Sequence, residues 1–281
     1  MPAESISLRA AADNLGLHYM TVYRYVRTGR LPATKQGGQW FVDPADIEAI
    51  ANGEEDTSTD GVRTRAASQL EDRLLVADEP GAWAVVSQAL TSGAEPAEVH
   101  LRMLLPAMRS IGSRWSNGEI EVFDEHQATT IASRITARLG PRFHRRGPSR
   151  GHIVVGLVSG DAHSLASAVI ADLLRGRRFD VTDLGADTPA ESFLEVMEST
   201  STDLPLIGVA ISCTTSASLE QAEKTIAAIR AKRPNVHIAL GGTGVPGRVE
   251  AEAAGATIWA PDVEGLLDQL DELAPPRKQP T

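Results

Sequence analysis

An aspartate and a histidine two residues apart could hold a metal ion in this sequence. Asp161 and His163 lie in the polar stretch Ser159–Leu165, directly after the apolar run Ile153–Val158. A carboxylate at this spacing can accept a hydrogen bond from one ring nitrogen of the histidine, which leaves the other nitrogen as a basic metal ligand. Because the spacing is also common in ordinary polar loops, its meaning depends on the fold that carries it.

The loop belongs to a segment in which apolar runs alternate with helical stretches. The runs are Ile153–Val158, Phe179–Leu184, Leu206–Ile211, Val236–Leu240 and Thr257–Trp259. They predict an α/β domain over residues 151–273, with a Rossmann or flavodoxin-like five-stranded parallel sheet and helices on both faces. Such sheets bind ligands in the loops after the carboxyl ends of their strands, which are here 159–165, 212–218 and 241–245.

A helical segment precedes this sheet. Apolar residues recur with helical spacing between residues 66 and 140, and breaks at Pro80, Gly93 and Gly118 divide the segment into four helices. We therefore expect a four-helix bundle at 66–140. Residues 54–65 contain one aliphatic residue, Val62, and no periodicity, which predicts a flexible linker. The Pro-rich residues 274–281 are predicted to be a disordered tail.

Residues 1–53 have the spacing of a helix-turn-helix followed by a wing. Leu8–Leu15 and Met20–Val26 predict two helices around a turn at Gly16. Gly37-Gly38 suits a two-residue hairpin, because glycine tolerates positive φ at both positions. Asp43-Pro44 predicts the start of a third helix, since aspartate caps a helix and proline fits its first turn. This α-helical layout is typical of domains that read DNA with their second helix.

Four of the five basic residues in positions 1–50 lie between Arg24 and Lys35. The side chains expected near bases or phosphates are His18, Tyr19, Thr21 and Arg24, and those expected near the DNA backbone are Arg27, Lys35 and Gln39. The stretches 7–12 and 23–32 resemble the winged-helix domains of the MerR and excisionase families. A single small module seldom suffices, so we expect a homo-oligomer, a dimer or tetramer, on double-stranded operator DNA. A small protein-interaction domain is the alternative.

Composition sets the broad class of the protein. Its 281 residues predict two or three domains, and 42% hydrophobic with 23% charged residues is typical of a globular protein. No run approaches the roughly 18 apolar residues that span a bilayer, and the start lacks a signal-peptide pattern, so we expect a cytoplasmic protein without a membrane partner. The formal charge of −10 argues against nucleic acid as a partner, but residues 1–50 are neutral overall. The single cysteine, Cys213, excludes an internal disulfide.

The segment 151–272 resembles the cobalamin-binding domains of methionine synthase, the B12-dependent mutases and the corrinoid proteins. Asp161 and His163 match their motif Asp-x-His-x-x-Gly, whereas Ala166 occupies the position of its final glycine. The resemblance implies that His163 is the lower axial ligand of cobalt, with Asp161 orienting its ring and Ser218 extending the relay. Further residues implied in cofactor binding are Ser164, Leu165, Ser212, Ser216, Gly241, Gly242 and Thr243. Flavin mononucleotide binding and a phosphorylated receiver domain are rival functions of such a sheet.

Residues 115–129 resemble the cap of light-responsive, adenosylcobalamin-dependent MerR-type repressors of the CarH and LitR family. In that family a tryptophan and a Glu-His pair cover the upper face of cobalt, and the matching residues are Trp115, Val122, Glu125 and His126. The best-studied members have a histidine directly after the tryptophan, which binds cobalt once light removes the adenosyl group. Here that position is Ser116, a poor cobalt ligand.

Together these features predict a three-domain, non-enzymatic regulator with adenosylcobalamin as its cofactor. Photolysis of the cofactor would change oligomerisation and DNA binding, and the dark oligomer would repress. A cobalamin sensor that does not respond to light is a second hypothesis, favoured by Ser116. A corrinoid methyl-carrier module is a third, and a regulator carrying a second pigment is a fourth. The sequence leaves open the operator, the regulated genes, the oligomer size and the sign of regulation.

Overall fold

The computed structural model describes residues 5–15, 19–27, 31, 33–36, 39–44, 47, 59–199 and 204–275. The chain divides into two compact units. The first comprises residues 1–92 and 102–125, and the second comprises residues 93–101 and 126–281. The segment 66–140, predicted as one domain, therefore contributes residues to both units.

Where it is described, the amino-terminal part of the first unit contains two complete helices and a small antiparallel sheet. Its elements are β1 (Ile6–Ser7), α1 (Leu8–Leu15), α2 (Tyr19–Arg27), β2 (Thr34–Gln36) and β3 (Gln39–Val42), with strand order β1-β3-β2. Leu8, Val22, Leu31 and Ile47 are buried in one core. The two helices predicted for this segment are present. Burial of one apolar stripe from each helix accounts for their amphipathic spacing.

The pairing register leaves two residues between β2 and β3. Gln36 pairs with Gln39, so two residues separate the paired strands, which is the loop length of the predicted hairpin. Those two glycines lie outside the described residues, and so does the turn predicted at Gly16. Most of the helix predicted to start at Asp43-Pro44 also lies outside them.

Three further helices belong to the first unit. They are α3 (Thr59–Leu75), α4 (Glu79–Thr91) and α5 (Leu105–Ser116), and α3 packs against α4 and α5. The linker predicted at 54–65 is wrong for its second half, because α3 begins at Thr59. Because nucleation is the unfavourable step in helix formation, extending a nucleated helix by one turn costs little free energy. The first turns of α3 therefore need no apolar stripe of their own. Residues 54–58 lie outside the described part of the chain.

A π-helix interrupts the helical segment before α5. An α-helical turn, Pro96–Glu98, leads into the π-helix Val99–Leu104 and then into α5. His100 in the π-helix is wholly buried in the second unit, where it contacts Asp172 and stacks on Phe143. The long helix α6 (Val122–Leu139) follows α5. No helix in the described ranges is both long and apolar enough to cross a membrane.

The second unit is built on a parallel sheet with strand order β5-β4-β6-β7. The strands are β4 (His152–Leu157), β5 (Asp180–Asp183), β6 (Leu206–Ser212) and β7 (His237–Gly241). The prediction of a fifth strand at Thr257–Trp259 is wrong, since only Ile258 forms an isolated bridge, to Ala239. Pro261 follows closely and has no N–H to donate, which limits extension of the ladder.

Helices cover both faces of this sheet. In chain order they are α7 (Ser164–Gly176), α8 (Ala190–Ser199), α9 (Ser216–Lys232), α10 (Arg248–Ala253) and α11 (Val263–Leu273). Helices α8, α9 and α10 pack in one core with β4, β6 and β7. Because right-handed crossovers to opposite sides of the sheet place their helices on opposite faces, α7 lies on the other face, where α11 packs against it.

A buried arginine holds the end of α11. The Arg150 guanidinium forms an ion pair with Asp271, donates to the carbonyl oxygens of Asp271 and Pro275, and lies 5.0 Å from the ring centroid of Phe179. The prediction that disorder begins at residue 274 is therefore wrong for Pro275, whose carbonyl is bound. Residues 276–281 lie outside the described part of the chain.

Candidate functional site

The loop after β4 turns sharply to bring Asp161 and His163 to the carboxyl edge of the sheet. Gly160 has φ +83°, a conformation that favours glycine. Its amide N–H donates to Asp187 Oδ1 at 2.7 Å, and the Asp161 carbonyl accepts from the Asp187 N–H at 2.9 Å. The loop after β5, which carries Asp187, therefore holds the loop after β4 in place.

Asp161 is a buried hydrogen-bond acceptor for three other residues. Its side chain is 0% exposed. The carboxylate accepts from His163 Nδ1 at 2.8 Å and from the Thr214 hydroxyl and backbone N–H, each at 2.7 Å. It also accepts from the Ser218 hydroxyl at 2.9 Å. These bonds join the loop after β4 to the loop after β6.

The hydrogen bonds keep this buried carboxylate charged. Burial by itself raises the pKa of Asp161, but donation from Thr214, His163 and Ser218 outweighs it, and the pKa lies below the ordinary value of 3.8. A charged carboxylate can only accept hydrogen bonds. The nitrogen of His163 that faces it must therefore carry the proton.

His163 presents its other nitrogen outward. The side chain is 54% exposed and lies at the residue preceding α7. When the ring is neutral and Nδ1 carries the proton bound to Asp161, the lone pair is on Nε2, which has no hydrogen-bond partner among the described residues. Such a neutral imidazole can coordinate a transition metal from one side.

The segment 212–218, which runs from the end of β6 into α9, contributes one of its three predicted serines to this cluster. Ser218, in the first turn of α9, donates its hydroxyl to Asp161. Thr215 is the N-cap of this helix, and its side chain accepts from the Ser218 N–H. Ser212 is the buried last residue of β6 and Ser216 is exposed at the start of α9. Within the described residues, neither of these two contacts Asp161.

Thr214 is the residue of this cluster that sequence reasoning missed. The prediction for segment 212–218 named only its serines, and Thr214 lies between two of them. Its position directly beyond a parallel strand was the available signal, because polar side chains there converge at one edge. Cys213 beside it is buried, and burial together with the negative charge of Asp161 raises the pKa of its thiol to about 12.

The loop after β7 packs closely on the loop after β6. A Cβ at Gly242, whose φ is +104°, would lie 2.1 Å from the Cys213 carbonyl oxygen, and a Cβ at Gly244 would lie 2.2 Å from that of Thr215. Gly241 instead faces open space. Thr243 donates its hydroxyl to the Thr214 carbonyl at 2.8 Å. Gly242 thus serves contact between two loops, and Gly241 leaves room beside the site.

Replacing Gly242 by alanine is expected to destabilise the protein by about 1 to 3 kcal/mol, the usual cost of strained backbone. The new Cβ would also meet the Cys213 carbonyl, so the two loops must separate. Urea unfolding of the apoprotein measures the change. Gly241→Ala is the matched control and should be tolerated, because nothing lies within 4 Å of its Cβ position. Equal stability of the two variants would contradict this prediction.

Two predicted residues at the start of α7 lie at a cavity. Ser164 and Leu165 line a space of about 210 Å³ between α6 and α7, whose polar lining includes Asp172 and Arg175. Ala166, which replaces the glycine of the motif, is partly buried in the first turn of α7. The cavity is within the second unit.

The predicted cap residues lie on α5 and α6. Trp115, in the last turn of α5, is 47% exposed, and Val122, at the start of α6, is 49% exposed. Glu125 is partly buried and His126 is exposed, and both lie about one turn along α6 from Val122. Trp115, Val122 and Glu125 belong to the first unit, and His163 belongs to the second. The prediction that these residues cap the cobalt therefore stays a prediction.

The residues predicted to contact DNA are described in part. Tyr19 is 42% exposed and stacks on Tyr23 with 6.3 Å between ring centroids. Lys35 and Gln39 are exposed on β2 and β3. The other predicted residues are Thr21, Arg24 and Arg27, which lie on α2, and His18, which lies outside the described residues.

Three segments of the chain match models of protein families. Residues 151–268 match a B12 binding domain, residues 66–139 match a second model with the same description, and residues 6–54 match a helix-turn-helix domain. The combination fits a cobalamin-binding, DNA-binding protein. The match at 66–139 covers the helical segment, and the match at 151–268 covers the parallel sheet with Asp161 and His163.

The chain is similar to curated corrinoid proteins. It is 26% identical over 208 residues to the dimethylamine corrinoid protein of Methanosarcina barkeri, covering 73% of this chain and 95% of that one. It is 28% identical over 133 residues to trimethylamine corrinoid protein 1 of Methanosarcina acetivorans, of which it spans 61%. The solved Methanosarcina barkeri monomethylamine corrinoid protein shares its fold over 75% of this chain, with a TM-score of 0.67 and 18% identity.

Proposed function

We propose that this protein is a cobalamin-dependent transcriptional regulator in which His163 is the lower axial ligand of cobalt. The observation that carries the proposal is the charged, buried Asp161 holding Nδ1 of a half-exposed histidine at the sheet edge. The same chain matches a helix-turn-helix domain at residues 6–54. A cofactor site and a DNA-binding segment in one chain favour regulation over catalysis.

The residues at the sheet edge suit a cobalt corrinoid. In its neutral form the imidazole of His163 offers Nε2 as a ligand, and Asp161, which also accepts from Ser218, holds its ring from behind. Gly241 leaves open space beside the site. We propose that the nucleotide tail of cobalamin lies near this glycine, with Ser212, Ser216, Gly242 and Thr243 around it and Ser164 and Leu165 on the side of α7.

The DNA partner would be a double-stranded operator. Tyr19, Lys35 and Gln39 are exposed on the elements of the predicted winged helix-turn-helix, and α2 also carries Thr21, Arg24 and Arg27. Because each module offers few phosphate contacts, binding as a dimer or tetramer to paired half-sites is part of the proposal. The cofactor would act by favouring one assembly state over another.

The finer proposal is a light sensor that uses adenosylcobalamin. That cofactor supplies a cobalt–carbon bond weak enough for visible light to cleave. Trp115 and Val122 are large apolar side chains exposed to about half, and we propose that they, with Glu125 and His126, surround the adenosyl group. Ser116 donates to the Ser113 carbonyl at 2.8 Å and offers only a hydroxyl where a histidine would bind cobalt.

A corrinoid methyl carrier is the second candidate function. It is favoured by the similarity to the dimethylamine corrinoid protein of Methanosarcina barkeri, which extends over 95% of that protein. The helix-turn-helix match at residues 6–54 argues against it. A carrier would exchange methyl groups at cobalt without a change in DNA binding.

The full chain reconstituted in the dark with adenosylcobalamin is expected to retain a corrin absorption spectrum after desalting, and green light should change that spectrum irreversibly. Genomic DNA fragments are first selected for binding to the dark protein. Binding of these fragments is then measured for the same samples before and after light. Ser116→His is the matched variant, and its photoproduct should show a second histidine ligand that the wild type lacks.

The other possible results of this experiment distinguish the competing functions. A retained, light-stable spectrum would reject the light sensor and favour a dark cobalamin sensor. Loss of all corrin on desalting would reject cobalamin as the cofactor. A light-stable complex that accepts methyl groups and selects no DNA would favour the methyl carrier.

A further inference from the structure

The Thr214 hydroxyl lies against both members of the Asp161–His163 pair. Its oxygen is 2.7 Å from Asp161 Oδ1 and 2.7 Å from His163 Nδ1, while those two atoms are 2.8 Å apart. The three atoms therefore form a nearly equilateral triangle, in which each is within hydrogen-bond distance of the other two.

The protons in this triangle have one favourable arrangement. Asp161 Oδ1 can only accept, so it accepts one hydrogen bond from the Thr214 hydroxyl and another from the N–H at His163 Nδ1. The Thr214 oxygen can then accept from the same N–H, since a hydroxyl both donates and accepts. With Nδ1 unprotonated, its lone pair would face a carboxylate oxygen at 2.8 Å, and repulsion disfavours that tautomer.

The backbone of Thr214 is held at two points. Its backbone N–H donates to Asp161 Oδ2 at 2.7 Å, and its carbonyl accepts from the Thr243 hydroxyl at 2.8 Å. Its hydroxyl is thus fixed from the loop after β4 and from the loop after β7. Ser218 differs, because it contacts Asp161 Oδ2 and leaves the His163 ring untouched.

We propose that Thr214 is a positioning residue that holds the His163 ring in the Nδ1-protonated orientation with Nε2 aimed at the ligand. This inference rests on the proposed function for the identity of the ligand. It adds Thr214, from the loop after β6, to the relay of Asp161, His163 and Ser218. The role is positioning, because the hydroxyl acts on cobalt only through His163.

The first test is made on the apoprotein and needs no cofactor. In ¹⁵N-labelled protein at pH 7.5, two-bond ¹H–¹⁵N spectra report which ring nitrogen of each histidine carries the proton, and His163→Gln identifies the signals of His163. We expect wild type to show Nδ1 protonated and sharp ring signals. Thr214→Val should lower the Nδ1–H population and broaden the ring signals, and Thr214→Ser should restore both.

Ser218→Ala is the matched control, since it removes another donor from Asp161 and keeps the Thr214 hydroxyl. Its His163 signals should stay close to wild type, whereas general loosening of Asp161 would alter them in both variants. Circular dichroism checks folding, and Thr214→Ala replaces the valine variant if that one does not fold. His163 signals unchanged in a folded variant without the hydroxyl would overturn the proposal.

The second test measures loss of cobalamin from the reconstituted full chain. Thr214→Val should release cobalamin about tenfold faster than wild type, as is usual when a residue supporting a metal ligand is removed. Release at the wild-type rate would overturn the role in ligation. If wild type retains no cobalamin while the His163 signals respond to Thr214→Val, the proposed cofactor fails and the positioning of the ring by Thr214 is supported.

Discussion

His163→Ala is expected to lose cobalamin at least about 100-fold faster than wild type, because it removes the metal ligand and not only a residue supporting it. The unfolding free energy of the apoprotein should change by less than about 1 kcal/mol, since the ring is more than half exposed. Release is measured from the corrin spectrum after gel filtration, and stability by urea unfolding.

His237→Ala is the matched control for this prediction. His237 is another exposed histidine of the second unit, at the start of β7 and at the opposite end of the strands from His163. Its replacement should leave cobalamin retention unchanged. If His163→Ala retained cobalamin as well as His237→Ala does, His163 would not be the axial ligand.

Asp161→Ala is expected to impair both cobalamin retention and folding stability. The substitution leaves the Thr214 N–H, the Ser218 hydroxyl and the His163 N–H without their acceptor, in a place that water does not reach freely. A buried donor left without an acceptor costs about 1 to 3 kcal/mol, and several donors lose their acceptor here. Urea unfolding of the apoprotein at pH 7 measures it, and Asp268→Asn, at an exposed aspartate, should cost far less.

The pH dependence of this stability gives a second check. Because the folded-state pKa of Asp161 lies below the ordinary 3.8, the carboxylate stabilises the folded state fully above pH 3.8. That contribution is lost as pH falls through the lower, folded-state pKa. The stability difference between wild type and Asp161→Asn should therefore shrink below pH 3.8, and a difference that grew on acidification would contradict the charged state of Asp161.

The sheet and its ligand-binding edge were predictable from the sequence. Buried parallel strands are continuous apolar runs, and Ile153–Val158 and Leu206–Ile211 stand out between helical stretches. Once the strands are placed, Asp161 and Ser218 must fall at one edge. Thr214 falls at the same edge, but its contact with the His163 ring was not predictable in this way, because that contact depends on how two loops distant in sequence meet.

The errors came from segments whose structure depends on their neighbours. The first turns of α3 have no apolar periodicity, so nothing local distinguished Thr59 from a linker residue. The run Thr257–Trp259 is apolar enough for a strand, but only Ile258 pairs. Pro275 is held by Arg150, a residue 125 positions away, and no local pattern indicates such a contact.

The strand order β5-β4-β6-β7 has a consequence for the robustness of the site. After β4 the chain crosses to one side of the sheet, and after β6 it crosses to the other, so the loops carrying Asp161 and Thr214 diverge at a topological switch point. In sheets of this kind the connectivity alone favours a ligand-binding crevice at such a point. Substitution of an exposed residue such as His163 therefore removes the chemistry and leaves the crevice, in which a different ligand chemistry could be built without a new fold.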